Sequence, residues 1–392
     1  MIVTVGDVAA GGHCVARVDG EVYFVRHALP GEKVRIEITD RKKRFAFADA
    51  VEIIEASPDR VEPPCPYAGP GKCGGCDFQH ATHDAQRRLK ARVLQDQLTR
   101  IGGIDPADLE GVEVEELPSK EGPLGWRTRM QYAVDADGKP GLRGHKSRDI
   151  IHIDQCAIAT EPIRSSKTLF KDWKGMGAVG VVDADDDRLA VYTQLRRTSR
   201  PHHKSGPKLV HQRVGEFEFE INFDGFWQVH PAAAETFLSC VLDQLDPQDG
   251  EAAWDLYAGA GLFAAGLADA IGETGRVVAV ENSKSSRTAS NLSGFANAGA
   301  VDGDVAETVP ALGSVDLVVL DPPRSGAGTD VVASMIEAGP RAICYVACDA
   351  GALARDAKAF AEHGWKLTRL RAFDAFPMTQ HFETIALFEP AK

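Results

Sequence analysis

The chain has 392 residues, of which 44% are hydrophobic, and a formal net charge of −13. It is too long for one ordinary hydrophobic core and should form two or three domains. No apolar run could span a bilayer and no signal-peptide pattern is present, which predicts a cytoplasmic protein without a membrane partner. Eight cysteines in such a protein favour metal binding or catalysis over a disulfide framework.

The negative charge belongs to one part of the chain. Residues 1–56 hold 8 Lys+Arg against 9 Asp+Glu, residues 57–225 hold 25 against 26, and residues 226–392 hold 11 against 22. Residues 195–213 contain six Lys/Arg, three His and no acidic side chain, and RKKR and QRRLKAR are smaller basic clusters. Such patches can contact phosphate whatever the total charge, although a solvated surface explains each of them equally well. The composition therefore does not exclude RNA binding.

Residues 1–56 show short strands separated by the turn dipeptides Gly-Gly, Asp-Gly and Pro-Gly. Five such strands predict a small barrel of the oligonucleotide-binding kind. The segment ALPGEKV, in this setting, resembles the signature of a TRAM domain, which implies an RNA-binding barrel.

A Pro-rich stretch, SPDRVEPPCP, begins the second region, residues 57–225. ATHDAQRRLKARVLQDQLTRIG then predicts a helix of about twenty residues that ends at Gly102. Alternating segments between residues 120 and 225 predict a mostly antiparallel sheet with an inserted helix. The second region is therefore expected to be a central α+β domain.

Four cysteines of this region are candidate metal ligands. Cys65, Cys73 and Cys76 lie in a Pro/Gly-rich loop, and Cys156 follows in HIDQCAI. Three close thiols and one distant thiol can bind zinc tetrahedrally or hold a [4Fe–4S] cluster, and spacing alone leaves both open.

From residue 226 the pattern changes to alternating strands and helices. AAWDLYA, RVVAVE, VDLVVLD and AICYVAC predict buried parallel strands, and the closing ETIALFE predicts an edge strand. Residues 226–392 are thus expected to form a doubly wound α/β domain of the class I, Rossmann-like kind.

A glycine-rich turn, DLYAGAGLF, follows the first of these strands, where glycines let the backbone approach a ligand. The third glycine of the dinucleotide fingerprint is displaced and Asp255 precedes the loop, so the fingerprint of a Rossmann-type NAD domain is not present. Glu281 ends the next strand and is placed to accept ribose hydroxyls, and Asp321 opens the rigid segment DPPR. This arrangement resembles the S-adenosylmethionine site of class I methyltransferases.

Two residues near the C-terminus suggest covalent catalysis on a pyrimidine. Cys348 follows the apolar strand RAICYVAC, and Glu383 lies in FPMTQHFETI. A thiolate that adds to position 6 of uracil makes position 5 nucleophilic, and a base must then remove the proton from position 5. A free thiol has a pKa near 8.5, so Cys348 needs a local activation that the sequence does not reveal. Cys14, Cys240 and Cys344 are expected to be buried structural thiols.

Together these motifs resemble the bacterial RNA 5-methyluridine methyltransferase family, in the branch that carries a TRAM domain and an iron–sulfur cluster. The resemblance implies that Cys348 is the nucleophile and Glu383 the base. It also implies a [4Fe–4S] cluster rather than zinc on the four cysteines, and it implies cofactor contacts by five residues: Gln228, Tyr257, Glu281, Asp304 and Asp321.

The chain departs from that family pattern at two places. Leu262 stands where relatives often have a cofactor-contacting Asn, and leucine cannot make that hydrogen bond. The nucleophile has the context A-C-D-A instead of S-C-N-P, which affects the contacts expected to orient uracil.

The predicted function is S-adenosylmethionine-dependent formation of 5-methyluridine in RNA, with 23S ribosomal RNA preferred because transfer-RNA relatives typically lack both the barrel and the cluster. The alternatives are a tRNA 5-methyluridine methyltransferase, an RNA 5-methylcytosine methyltransferase, and a non-catalytic iron–sulfur protein that binds RNA. No obligate protein partner is inferred.

Overall fold

The computed structural model describes residues 1–184, 188–198, 200–284 and 286–391. Within these ranges the chain forms a six-stranded N-terminal sheet, a six-stranded middle sheet, a two-stranded hairpin and an eight-stranded C-terminal sheet. The expected fold class, an α/β domain preceded by a small barrel and an α+β region, is confirmed.

The N-terminal barrel has six strands where the sequence predicted five. They are β1 (Ile2–Thr4), β2 (Val8–Ala9), β3 (His13–Val18), β4 (Glu21–Arg26), β5 (Lys33–Arg41) and β6 (Phe45–Glu55). Their order is β1-β5-β6-β4-β3-β2, with β4 and β6 parallel. The additional strand β2 has two residues, which is too short to show alternation in the sequence. Gly6 donates its N–H to the Val15 carbonyl at 2.7 Å, which brings the segment after β1 against β3.

Helix α1 (His83–Arg100) follows the barrel and ends just before Gly102, as predicted. Its first turn is capped by the Thr82 hydroxyl, which accepts the Ala85 N–H at 3.4 Å. The remaining elements of the middle region are β7 (Val114–Glu116), β8 (Arg129–Val134), β9 (Pro140–Arg143), β10 (Ile150–Ile151), α2 (Glu161–Ser165), β11 (Met176–Asp183), β12 (Leu189–Leu195), β13 (Pro201–Ser205), β14 (Leu209–Val214) and β15 (Phe217–Asn222). The sheet β10-β9-β8-β11-β12-β13 is antiparallel and contains the α2 insertion, which confirms the prediction.

The C-terminal region alternates between strands and helices. Its elements are α3 (Ala233–Leu245), β16 (Ala252–Leu256), α4 (Leu262–Ala270), β17 (Arg276–Glu281), α5 (Thr288–Asn291), β18 (Ala298–Asp302), α6 (Val305–Thr308), β19 (Leu317–Leu320), α7 (Thr329–Glu337), β20 (Ala342–Ala347), α8 (Ala350–Glu362), β21 (Trp365–Asp374) and β22 (Glu383–Pro390). Short 3₁₀ turns occur at Pro106–Leu109, Lys167–Phe170 and Val309–Ala311. The sheet order is β18-β17-β16-β19-β20-β22-β21-β7. The four predicted parallel strands are β16, β17, β19 and β20, and their parallel pairing is confirmed.

The prediction that ETIALFE forms an edge strand is wrong. The strand it forms, β22, lies between β20 and β21 and is antiparallel to both. Residues 383–388 of β22 are all buried, and the apolar run IALF within them, buried on both faces of the sheet, is typical of an interior strand. The outer position on this side is taken by β7, which pairs in parallel with β21 although it lies far earlier in the chain.

Helix α1 packs on α8 rather than on the middle sheet. Leu94 and Leu98 share an apolar core with Leu353 and Phe360. Although α1 lies in the segment 57–225 that the sequence assigned to a central domain, it helps to cover the C-terminal sheet.

The side chains of Cys14, Cys240 and Cys344 are buried in the apolar cores of the barrel and the C-terminal domain. Among the described residues, no helix has the length and apolar character needed to cross a membrane.

Candidate active site

Three predicted cofactor residues lie together at the carboxyl ends of the parallel strands of the C-terminal sheet. Leu256, the last residue of β16, pairs with Val280 of β17 and with Leu320 of β19 in parallel register. Beyond these pairs, the Ala258 N–H donates to the Val280 carbonyl at 3.0 Å and the Asp321 N–H donates to the Leu256 carbonyl at 3.2 Å. Tyr257, Glu281 and Asp321 therefore lie at neighbouring strand ends, because the carboxyl ends of parallel strands align.

The glycine-rich turn beside them leaves room for a ligand. Tyr257 and Gly259 have φ angles of +62° and +56°. A Cβ atom added at Gly259 would meet nothing within 4 Å, so this face of the turn is open. The Glu281 carboxylate accepts N–H groups from Gly259 at 2.7 Å and Ser283 at 2.6 Å. A carboxylate has about four lone-pair sites, so Glu281 retains acceptors for hydroxyl groups.

Two polar residues that the sequence did not single out fix the back of this turn. The Thr288 hydroxyl donates to the Gly259 carbonyl at 2.6 Å. The Asn291 amide donates to the Ala260 carbonyl at 2.9 Å. Both belong to the short helix α5, and TASN carries no recognisable motif.

Beneath the turn lies a buried carboxyl group. Asp255 is fully buried, and its Oδ2 accepts the Ala264 N–H at 2.8 Å, whereas its Oδ1 has no hydrogen-bond partner in the described part of the chain. Burial, with Asp321 and Glu281 nearby, raises the pKa of Asp255 to about 8. Leu262, the first residue of α4, is buried in the apolar core.

The pairing of β20 with β22 brings the proposed nucleophile and base together. Ala347 is registered opposite Thr384, and the Thr384 hydroxyl donates to the Ala347 carbonyl at 3.0 Å. Cys348 directly follows Ala347 and Glu383 directly precedes Thr384, and the two groups are close enough for the Glu383 charge to act on the Cys348 thiol. Cys348 is partly exposed, whereas Glu383 is only 5% exposed. A reacting group could thus reach the thiol with the carboxyl group beside it.

Burial and neighbouring carboxylates favour the protonated forms of Cys348 and Glu383. Burial, together with Asp321, raises the pKa of Glu383 well above its ordinary value, and Arg324 opposes this effect. Burial, followed by Glu383 and Asp321, raises the pKa of Cys348 to about 11, again against Arg324. Burial raises the pKa of Asp321 to about 7. Glu383 Oε2 is buried without a hydrogen-bond partner among the described residues.

Asp349, the residue after the proposed nucleophile, is the N-cap of α8. The Asp349 carboxylate caps α8 by accepting the Ala352 N–H at 2.8 Å. The A-C-D-A context therefore still starts a capped helix directly behind Cys348.

The other two predicted cofactor residues lie at different places. Asp304 is exposed and caps α6, where its Oδ1 accepts the Ala306 N–H at 2.9 Å. Gln228 is buried and lines a cavity of about 850 Å³ together with Trp227 and Thr128. In the described ranges, no hydrogen bond joins Gln228 or Asp304 to the residues at the sheet edge.

The four candidate ligand cysteines line one cavity of about 250 Å³: Cys65, Cys73, Cys76 and Cys156. Burial raises the pKa values of the Cys73, Cys76 and Cys156 thiols, and neighbouring thiols add to the increase. In the described ranges, however, no three His, Cys, Asp or Glu side chains are grouped closely enough to hold one metal ion. The structure thus brings the four thiols to one cavity without forming a compact single-ion site.

Comparison with known proteins gives consistent results for the two ends of the chain. The family described as TRAM domain matches residues 1–51, and the family described as tRNA (Uracil-5-)-methyltransferase matches residues 313–390. An uncharacterized RNA methyltransferase of Streptomyces avermitilis is 44% identical, covering 99% of this chain and 98% of that protein. The 23S rRNA (uracil(1939)-C(5))-methyltransferase RlmD of Shewanella sediminis is 32% identical, covering 96% and 93%.

The chain belongs to the RNA uracil-C5 methyltransferase family. The family suggested by the sequence motifs is thereby confirmed, as is the enzyme class, an S-adenosylmethionine-dependent RNA (uracil-5-)-methyltransferase. The crystal structure of the Pyrococcus abyssi tRNA (uracil-54, C5)-methyltransferase in complex with S-adenosyl-L-homocysteine has the same fold, with a TM-score of 0.74, 21% identity, and coverage of 99% of this chain and 100% of that one.

Proposed function

We propose that this enzyme forms 5-methyluridine in 23S ribosomal RNA through a covalent bond between Cys348 and the target uracil. The observation that supports this most strongly is the β20–β22 register, whose last pair, Ala347 and Thr384, is flanked by Cys348 and Glu383, with the Asp321 charge acting on both groups. The preference for 23S RNA follows the names of relatives that match almost the whole chain.

In this proposal Cys348 and Glu383 act at different steps. The Cys348 thiolate adds to carbon 6 of the uracil, and the displaced π electrons make carbon 5 nucleophilic. Bound S-adenosylmethionine supplies the methyl group. The Glu383 carboxylate then accepts the proton of carbon 5, and the electron pair left behind re-forms the carbon 5–carbon 6 double bond and expels the thiolate. The target base must leave its stack to reach Cys348.

The cofactor would be held by the residues at the sheet edge. Glu281 has free lone pairs for ribose hydroxyls, and the open face of Gly259 admits close approach. Tyr257 and Asp321 flank this space, and the remaining two assignments, Gln228 and Asp304, stay predictions from the family resemblance.

We also propose a [4Fe–4S] cluster on Cys65, Cys73, Cys76 and Cys156. What supports it is that all four cysteines line one cavity of about 250 Å³. Four cysteine thiolates are the ligand set of such a cluster, and the family resemblance favours it over zinc, which the same residues could also bind. No step of the proposed reaction requires an electron, so the cluster would have a structural role.

Iron and sulfide analysis of anaerobically purified protein tests this assignment. Cys73→Ser should lose the iron, whereas Cys240→Ser, at a buried thiol elsewhere, should retain it. Stoichiometric zinc without sulfide would overturn the assignment.

The RNA would be held by the barrel and the middle sheet. Arg143, His145, Lys146 and Arg196 line an open groove of about 710 Å³. The Lys146 ammonium lies 4.4 Å from the centre of the Phe47 ring of the barrel. Basic side chains next to aromatic rings suit the phosphates and bases of unpaired RNA.

The decisive experiment is transfer of labelled methyl groups from S-adenosylmethionine to 23S and transfer RNA from cells that lack this gene, followed by nucleoside analysis. Label in 5-methyluridine of 23S RNA is the expected result. Label in transfer RNA would overturn the substrate, and label in 5-methylcytosine would overturn the target base. RNA binding without any label would favour the non-catalytic alternative.

A further inference from the structure

The loop that leads directly into Glu383 is held by residues from outside its own sheet. This loop, residues 375–382, connects β21 to β22. Met378 at its centre has a φ angle of +68°, and its N–H donates to Gln86 Oε1 at 2.8 Å. The Met378 carbonyl accepts N–H groups from Asp77 and Phe78, each at 2.9 Å. The loop is thus hydrogen-bonded to helix α1 and to the segment that follows Cys76.

Asp77 makes a second connection with its side chain. Its Oδ2 accepts the Gln380 N–H at 3.0 Å, and its Oδ1 lies 3.1 Å from the Arg26 guanidinium of the barrel. The Arg26 and Asp77 side chains are only 7% and 11% exposed. A Cβ atom added at Gly12 of the barrel would lie 3.2 Å from the Asp77 Cβ and 3.3 Å from the Gln380 Cβ. Barrel, cysteine segment and loop therefore meet at Asp77.

The start of the loop is held by a fully buried ion pair. The Lys90 ammonium lies 2.5 Å from Asp374 Oδ1 and donates to the Phe376 carbonyl at 3.1 Å. His83 Nε2 lies 3.0 Å from Asp374 Oδ2. Asp374 is the last residue of β21, so the loop is held where it begins as well as at its centre.

We propose that Asp77 and Gln86 are positioning residues for the catalytic base: they fix residues 378–380 and thereby the direction of Glu383. The inference rests on the proposed function of Glu383. A misplacement of a catalytic group by about 1 Å can cost about 10²-fold in rate, and Gln380 is three positions from Glu383. Because Asp77 directly follows Cys76, the same backbone segment also joins the loop to the cysteine cavity.

The step affected distinguishes positioning from general stabilisation. If Asp77→Ala misplaces only Glu383, attack by Cys348 and methyl transfer still occur, and proton removal becomes slow. We expect kcat to fall at least about tenfold with little change in KM, and a denaturant-resistant enzyme–RNA adduct to accumulate. Gln86→Met should act in the same direction, because it removes the Met378 contacts from the other side.

Arg341→Ala is the matched control, since Arg341 pairs with Glu251 of the C-terminal domain at 2.6 Å without touching the loop. It should leave the kcat and the adduct fraction unchanged. If Asp77→Ala does not fold, as judged by thermal unfolding, Gln86→Met alone decides. Variants with raised KM and no extra adduct would overturn the inference, whereas wild-type protein without 5-methyluridine formation would instead overturn the proposed function.

Discussion

Replacing Glu383 by glutamine should stop the reaction after methyl transfer and leave protein and RNA covalently joined. Glu383 is 5% exposed and its Oε2 has no hydrogen-bond partner in the described ranges. Glutamine has nearly the same shape, so packing should persist, but its amide cannot accept the proton of carbon 5. Loss of a general base typically costs about 10²–10⁴-fold, and kcat should fall by that amount.

Denaturing gels with labelled RNA and, separately, with labelled methyl groups measure this outcome. The trapped complex of Glu383→Gln should contain one methyl group per RNA. The double variant with Cys348→Ala is the control and should form no adduct. Release of methylated RNA by Glu383→Gln at the wild-type rate, without a trapped complex, would refute the assignment of the base.

Three further outcomes are expected. Cys348→Ala should abolish both turnover and adduct, whereas Cys344→Ala, at a buried thiol in the strand that precedes Cys348, should retain activity in the methyl-transfer assay. Because burial and neighbouring carboxylates raise the pKa of Cys348 to about 11, and burial also raises the pKa of Glu383, the deprotonated forms become more abundant with rising pH. The kcat/KM should therefore increase between about pH 6 and about pH 9, by up to about tenfold per unit, and a flat profile would contradict this. Lys90→Met should lower the free energy of unfolding by about 3–5 kcal/mol in denaturant titrations because it leaves Asp374 buried without its main partner, and Lys90→Met with Asp374→Leu should recover part of that loss.

The position of Tyr257, Glu281 and Asp321 at neighbouring strand ends could be predicted from the sequence because the information is local. Each strand of β16, β17 and β19 carries its functional residue at or directly after its end. Parallel pairing then brings Tyr257, Glu281 and Asp321 together without further information. The proximity of Cys348 and Glu383 could not be predicted in this way. It depends on β22 lying next to β20, whereas the sequence predicted that β22 is an edge strand.

The contacts that hold the loop of residues 375–382 could not be predicted from the sequence. Lys90 belongs to QRRLKAR, whose composition predicted a basic surface cluster. The Lys90 ammonium group is instead fully buried against Asp374. The buried face of α1 includes Gln86 and Lys90 beside Leu94 and Leu98, so hydrophobic periodicity does not identify it. Asp77 and Gln86 are likewise polar residues of ordinary appearance, and their partners lie about three hundred positions later in the chain.

The proposed nucleophile and the proposed base are held by separate sets of contacts, and this separation has a measurable consequence. On the nucleophile's side, the buried Asp356 carboxylate accepts the Tyr345 hydroxyl and the Ala327 N–H, each at 2.7 Å, and so joins β20 to the loop after Asp321. On the base's side, the contacts come from Asp77 and α1. Loss of the first set, as in Asp356→Asn, should reduce formation of the covalent adduct, because Cys348 is then poorly placed for attack. Loss of the second set should instead increase the adduct, because attack proceeds and release does not. Opposite changes in one gel assay would therefore separate the two supports, even where both variants show the same loss of turnover.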